Sequence, residues 1–139
     1  MAEIERSIEL KATRVSLRSD GLLHIHIRSG ADMQLDDAVA TLSAMRKLGK
    51  GKKFPVLIDA GEFAAVDKEV RILSASADGN LYTLADAIVH QSFAQQLIAN
   101  FYVKHNKPVV PTRIFRDHRS AVRWLKTFLK KSASKKDDR

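Results

Sequence analysis

The chain contains no cysteine. That absence excludes disulfides, thiolate zinc sites and cysteine nucleophiles, and it fits a reducing compartment. Long apolar runs are missing as well: nothing approaches the roughly 20 residues that a bilayer-spanning helix needs. Met1 to Leu10 carries Glu3, Glu5 and Glu9 where a signal peptide would be apolar. These absences together predict a cytoplasmic protein. There is no internal repeat, no cofactor motif and no nucleophile–base pair, so neither an enzyme nor a bound cofactor is expected.

What is present is ordinary for one globular domain. The 139 residues are 45% hydrophobic and 29% charged, a size and balance that suit a single core. The net charge of +8 is concentrated in two places. One is the turn carrying Arg46, Lys47, Lys50, Lys52 and Lys53; the other is the Lys- and Ser-rich stretch after Leu129. Charge in a turn and a tail argues less for nucleic acid than a basic recognition helix would. The apolar-poor segment 130–139 is expected to be a disordered tail, and residues 1–12 an N-terminal arm before a domain over 13–129.

Thr13 to Arg18 and Leu23 to Ile27 alternate apolar and polar residues about Asp20-Gly21, which predicts a β-hairpin. The period then lengthens. Leu35, Ala38, Val39, Leu42, Met45 and Leu48 form a helical stripe with Asp36 and Asp37 at its start, Arg46 and Lys47 at its end and Gly49 to close it. Phe54 to Asp59 reads as a strand buried on both faces. Asp67 is placed to cap a short helix ending at Asp78-Gly79-Asn80. Leu84 to Val89 is a second buried strand, interrupted by Asp86. Ser92 to Gln95 has capping-box spacing for a helix with Phe93, Leu97, Ile98 and Phe101 on one face. Phe93, Phe101, Tyr102 and Trp124 are read as core first, with an apolar pocket lining or an interface between two copies as the alternatives. Thr112 to Phe115 is an edge strand beside Pro111. Asp117 opens a last helix striped by Ala121, Val122, Leu125, Phe128 and Leu129, with Trp124 alongside. The order implies an α/β fold in which an N-terminal hairpin precedes alternating strands and helices. Its mixed sheet has parallel later strands and right-handed crossovers.

That order resembles the SpoIIAA-like, or STAS/SEC14, superfamily. The resemblance is carried by Val56-Leu57-Ile58-Asp59 as the first crossover strand and by Phe63-Ala64-Ala65-Val66-Asp67 leading into a helix. The segments Gly49 to Leu57, Ala60 to Phe63 and Asn100 to Pro108 are similar to a bacterial, uncharacterised branch of it. In the anti-sigma-factor antagonists of that superfamily an Asp-Ser-Ser-Gly motif opens the helix, and a partner kinase phosphorylates one serine. Here the matching stretch is Asp67-Lys68-Glu69-Val70. Without a hydroxyl there, the resemblance implies that this phospho-switch is absent. Glu69 in a helix's first turn stabilises the dipole on its own account.

Among candidate sites, His24 and His26 project from one face of a strand and could chelate a metal if a third ligand arrived. His90, His105 and His118 share no ligand spacing with them, so a structural role is favoured and no metal is expected. Asp59, Gly61, Glu62, Asp67, Lys68 and Glu69 gather at the C-terminal edge of an interior strand, where α/β sheets meet ligands and partners. They are expected to form a contact surface for a partner protein or a second copy, making a homodimer. Gly49-Lys50-Gly51-Lys52-Lys53 lacks phosphate-loop spacing and precedes a strand, so it reads as a solvated turn. The leading expectation is thus a non-enzymatic regulatory or protein-interaction domain. The alternatives are a binder of a lipid or small apolar ligand, as the SEC14 side of the resemblance implies, and weak nucleic-acid binding through the basic turn and tail.

Overall fold

A computed structural model describes residues 3–137, with side chains described for residues 3–129. Its centre is a sheet of six strands: β1 (Ile4–Glu9), β2 (Thr13–Arg18), β3 (Leu23–Ile27), β5 (Phe54–Ala60), β7 (Thr83–Val89) and β8 (Thr112–Phe115), in that spatial order. A small second sheet pairs β4 (Asp32–Met33) in parallel with β6 (Ala65–Val66). The helices are α1 (Leu35–Gly49), α2 (Lys68–Ala75), α3 (Phe93–Phe101) and α4 (His118–Asp137).

The hairpin forms where alternation placed it. Val15 pairs with Ile25 and Leu17 with Leu23, and Gly21 supplies the positive φ of +86° that the turn demands. From β3 onward every neighbour is parallel. The three crossovers β3–β5, β5–β7 and β7–β8 all step the same way across the sheet. Right-handed connections therefore place α1, α2 and α3 on one face. The opposite face is left to α4, whose Ala121 and Leu125 pack on Leu57, Ala85, Ala87 and Val89. Alanines at two of those strand positions let the helix lie close. Under α1, the core is Val15, Leu23, Ala44, Met45, Leu48 and Val56.

Local signals explain the helix ends. The Gln34 backbone N–H donates to the Asp37 carboxylate at 2.9 Å, and Lys50 ends α1 in the left-handed region. The Ser92 hydroxyl accepts from the Gln95 N–H at 3.1 Å and the Asp117 carboxylate from the Ser120 N–H at 2.7 Å, so two of the three expected caps are present, while Asp67 at the start of α2 makes no side-chain cap bond. β8 lies at the sheet's edge, where its proline neighbour placed it.

Two expectations need correction, and the expected disordered tail over 130–139 lies outside the residues whose side chains are described. Ile4–Glu9 is an edge strand paired antiparallel with β2, within the stretch read as an arm. The apolar residues of α3 are not core: Phe93 is 73% exposed, and Leu97, Ile98 and Phe101 are half exposed, while Ala99 is the residue this helix buries. Helical spacing reports a stripe but not whether a partner covers it.

This division sets a stability contrast. Leu125→Ala should cost about 2–5 kcal/mol by cavity formation. Phe93→Ala should stay within about 0.5 kcal/mol of wild type. Urea unfolding reads both, and a large loss from Phe93→Ala would place α3 in the core after all.

Candidate functional site

Strand alternation sends the C-terminal edge of the parallel strands to two different sites, one on each face. On the α4 face, Asp59 of β5 sits beside β3 in a register that pairs His26 with Asp59. Period two turns His24 and His26 to the same face, and α4 begins at His118 above them. The result is one carboxylate between three imidazoles. His24 Nε2 donates to Asp59 Oδ2, His118 Nε2 donates to the same oxygen at 3.1 Å, and His26 Nδ1 donates to Oδ1 at 2.5 Å. The His24 and His118 rings stand edge to face, 6.3 Å apart. Burial alone would raise the Asp59 carboxyl, but the bonds from His24, His26 and His118 outweigh it and hold it well below the usual carboxylate range.

On the opposite face, beneath α2 and α3, lies a cavity of about 190 Å³. Ile58, Val66, Ile88, Ile98 and Ala99 make its wall mostly apolar, and Arg71, Asp86 and Tyr102 supply polar groups. A second cavity of about 120 Å³ continues under α1 and shares Ile27, Ile58, Val66, Ser74 and Asp86 with the first. Asp86 is the residue that interrupts the apolar run of β7. It is 8% exposed. Its backbone N–H donates to the Pro111 carbonyl at 2.9 Å, yet no described group hydrogen-bonds its carboxyl. Desolvation pushes that carboxyl up to about 7. The Tyr102 phenol is raised in turn, first by burial and then by the nearby Asp86.

The residues expected as a contact edge are not all alike. Asp59 is 5% exposed and committed to its imidazoles, so it is no surface contact. Gly61 is where the chain passes closest to the β3–β4 loop. Its N–H donates to the Ile27 carbonyl at 2.7 Å, and a Cβ there would fall 2.5 Å from the Ser29 nitrogen. Glu62 is exposed, and its carbonyl accepts from Gly30 at 2.7 Å. Asp67 stands at the α2 N-cap without a side-chain cap bond, and Lys68 and Glu69 are exposed in the first turn. The structure thus brings Gly61 to Glu69 together along one rim and turns Asp59 inward. His118, Arg71, Asp86 and Tyr102 join sites that spacing alone did not assemble. The one available signal was the acid inside the Leu84–Val89 run.

A family model described as "Domain of unknown function (DUF7793)" matches residues 15–129, and the chain belongs to that family. Among solved structures it is similar to an uncharacterized protein of the DUF3478 family with a SpoIIAA-like fold from Shewanella loihica PV-4. The two are 17% identical over 90% of this chain and 92% of the other, with a TM-score of 0.52. The fold is therefore SpoIIAA-like, as the strand order implied. A protein of unknown function from Arthrobacter sp. FB24 is 23% identical over 80% of this chain and 96% of its own, with a TM-score of 0.30. No curated protein matches the chain.

The raised Asp86 carboxyl has a signed consequence. In the folded state it keeps a proton that the unfolded chain has already released. Between the ordinary carboxylate range and about pH 7 the unfolded state therefore binds fewer protons, and stability falls as pH rises through that window before levelling off. Urea unfolding at a series of pH values should show this slope in the wild type and lose that part of it in Asp86→Asn. Identical slopes would mean that Asp86 titrates normally in the fold.

Proposed function

We propose that the chain is a non-enzymatic regulatory domain that takes a small, largely apolar molecule into the cavity beneath α2 and α3. The observation that supports this reading is the Asp86 carboxyl: it is 8% exposed, makes no hydrogen bond to any described group and borders the apolar cavity. A ligand whose polar end meets Asp86 gives that carboxyl a partner while its body fills the Ile88 and Ile98 wall. An apolar cavity of roughly 150 Å³ accommodates benzene, so about 190 Å³ suits a single ring or a short chain with one polar group. An amine pairs with the ionised acid, and a carbonyl accepts from the protonated one.

Native mass spectrometry of protein purified from its own host should reveal a retained small molecule. Ligand-observed NMR with toluene and benzylamine separates the apolar wall from the acid. Both should bind, benzylamine more tightly as pH rises through about 7. Asp86→Asn should remove that preference, and Ala99→Trp should block both. A clean apo mass together with no binding of either probe would sink the proposal.

A second reading, recognition of a partner protein or a second copy along the rim from Gly61 to Glu69, draws on Phe63. This aromatic is 90% exposed and held at a φ of +59°, a conformation that costs a non-glycine residue about 1 kcal/mol or more. Exchanging the charges as Lys68→Glu with Glu69→Lys should reduce what the domain recovers in a pull-down from native lysate. Unchanged recovery would remove this rim from consideration.

A further inference from the structure

The three imidazoles on Asp59 lie outside the cavity and are not needed by either reading above. The simplest role for them is a network of hydrogen bonds that neutralises a buried carboxylate. Two features go beyond what neutralisation requires. First, a single imidazolium compensates one carboxylate, whereas three rings are spent here, from β3 twice and from the first residue of α4. Second, two of them do not share the load across the carboxylate. His24 Nε2 and His118 Nε2 both converge on the same oxygen, Oδ2, while His26 alone holds Oδ1. One carboxylate oxygen can accept two such bonds, but this convergence also gathers two ring nitrogens and an oxygen around a single point, the arrangement a metal ion needs.

The ligand atoms of His24, Asp59 and His118 all lie within 4.8 Å of one another. Nitrogen and oxygen ligands at about 2.0–2.1 Å from a tetrahedral zinc stand roughly 3.3 Å apart. His118 Nε2 already stands 3.1 Å from Asp59 Oδ2, close to that spacing. We propose that His24 Nε2, His118 Nε2 and Asp59 Oδ2 form a divalent-metal site of the zinc class, with His26 as the positioning residue that fixes the carboxylate through Oδ1.

The chemistry fits the position. Imidazole and carboxylate suit zinc among the divalent metals, and each ring nitrogen must lose its proton to bind, so uptake releases protons and weakens in acid. Asp59 is buried and anchored on a central strand, whereas the His118 side chain is 49% exposed. The metal would therefore sit at the surface end of the cluster, with its fourth position facing water. That is the ligand count of sites that hold an exchangeable molecule rather than of closed structural ones. The opposite ring nitrogens of His24 and His118 carry no hydrogen bond to any described group. Lacking the outer partners that usually strengthen such ligands tenfold to a hundredfold, the site should bind zinc at roughly micromolar rather than nanomolar concentration.

The test uses the full chain with zinc chloride in isothermal titration at neutral pH, and cobalt(II) as a spectroscopic stand-in. The expected result is one equivalent bound, with the intense visible absorption of tetrahedral cobalt. His118→Ala, at an exposed helix start and thus safe for the fold, should abolish both signals, as should His24→Ala. His26→Gln should keep the stoichiometry and the cobalt spectrum but weaken binding about tenfold or more. His90→Ala and His105→Ala should change nothing. The proposal is overturned if wild type takes up no zinc, if binding is weak and multivalent, or if His118→Ala binds like wild type. Circular dichroism of each variant separates loss of the ligand from loss of the fold.

Discussion

The constraint on which the rest depends is the parallel seating of β5 between β3 and β7. This strand is hydrogen-bonded on both edges and covered on both faces, so its alternation is not free to slip by one residue. A slip would send Leu57 and Asp59 to the helical layer and Val56 and Ile58 to α4. The same fixed register sets Asp59 opposite His26 and Ile58 opposite Ile88. Both candidate sites are thus consequences of one pairing decision, seen from the two sides of the sheet.

Much of this fold was legible from residue order. The hairpin announced itself through strict alternation about Asp20-Gly21, and α1 through a stripe bounded by acids and bases at the proper ends. Two strands were visible as apolar runs between turn residues. These signals are local, and local physics suffices to read them. β1 was not legible, because a bulge shifts its register between Ile4 and Arg6 and breaks the alternation. The β4–β6 pair is two residues long on each side, too short to leave any period.

The sites were less legible than the fold, for a related reason. His-x-His spacing showed that two rings share a face, and Asp59 stood out at a strand end, yet nothing local connects the two. Their meeting depends on a crossover through α1, and the arrival of His118 depends on where β8 releases the chain into α4. The acid inside β7 was visible as an anomaly, but its meaning required knowing that it borders a cavity. At Asp67-Lys68-Glu69 the position was read correctly as a helix start.

One feature of α3 bears on how the cavity is entered. Helices normally owe their persistence to a packed face, since short isolated ones are marginal in water. With Ala99 its sole buried residue among nine, α3 is held lightly to the sheet, where Gln95 Nε2 donates to the Ala60 carbonyl at 3.4 Å. A wall so sparsely packed belongs to the low end of a protein's range of local opening free energies, and Ile98 and Ala99 of this helix line the cavity that Asp86 borders.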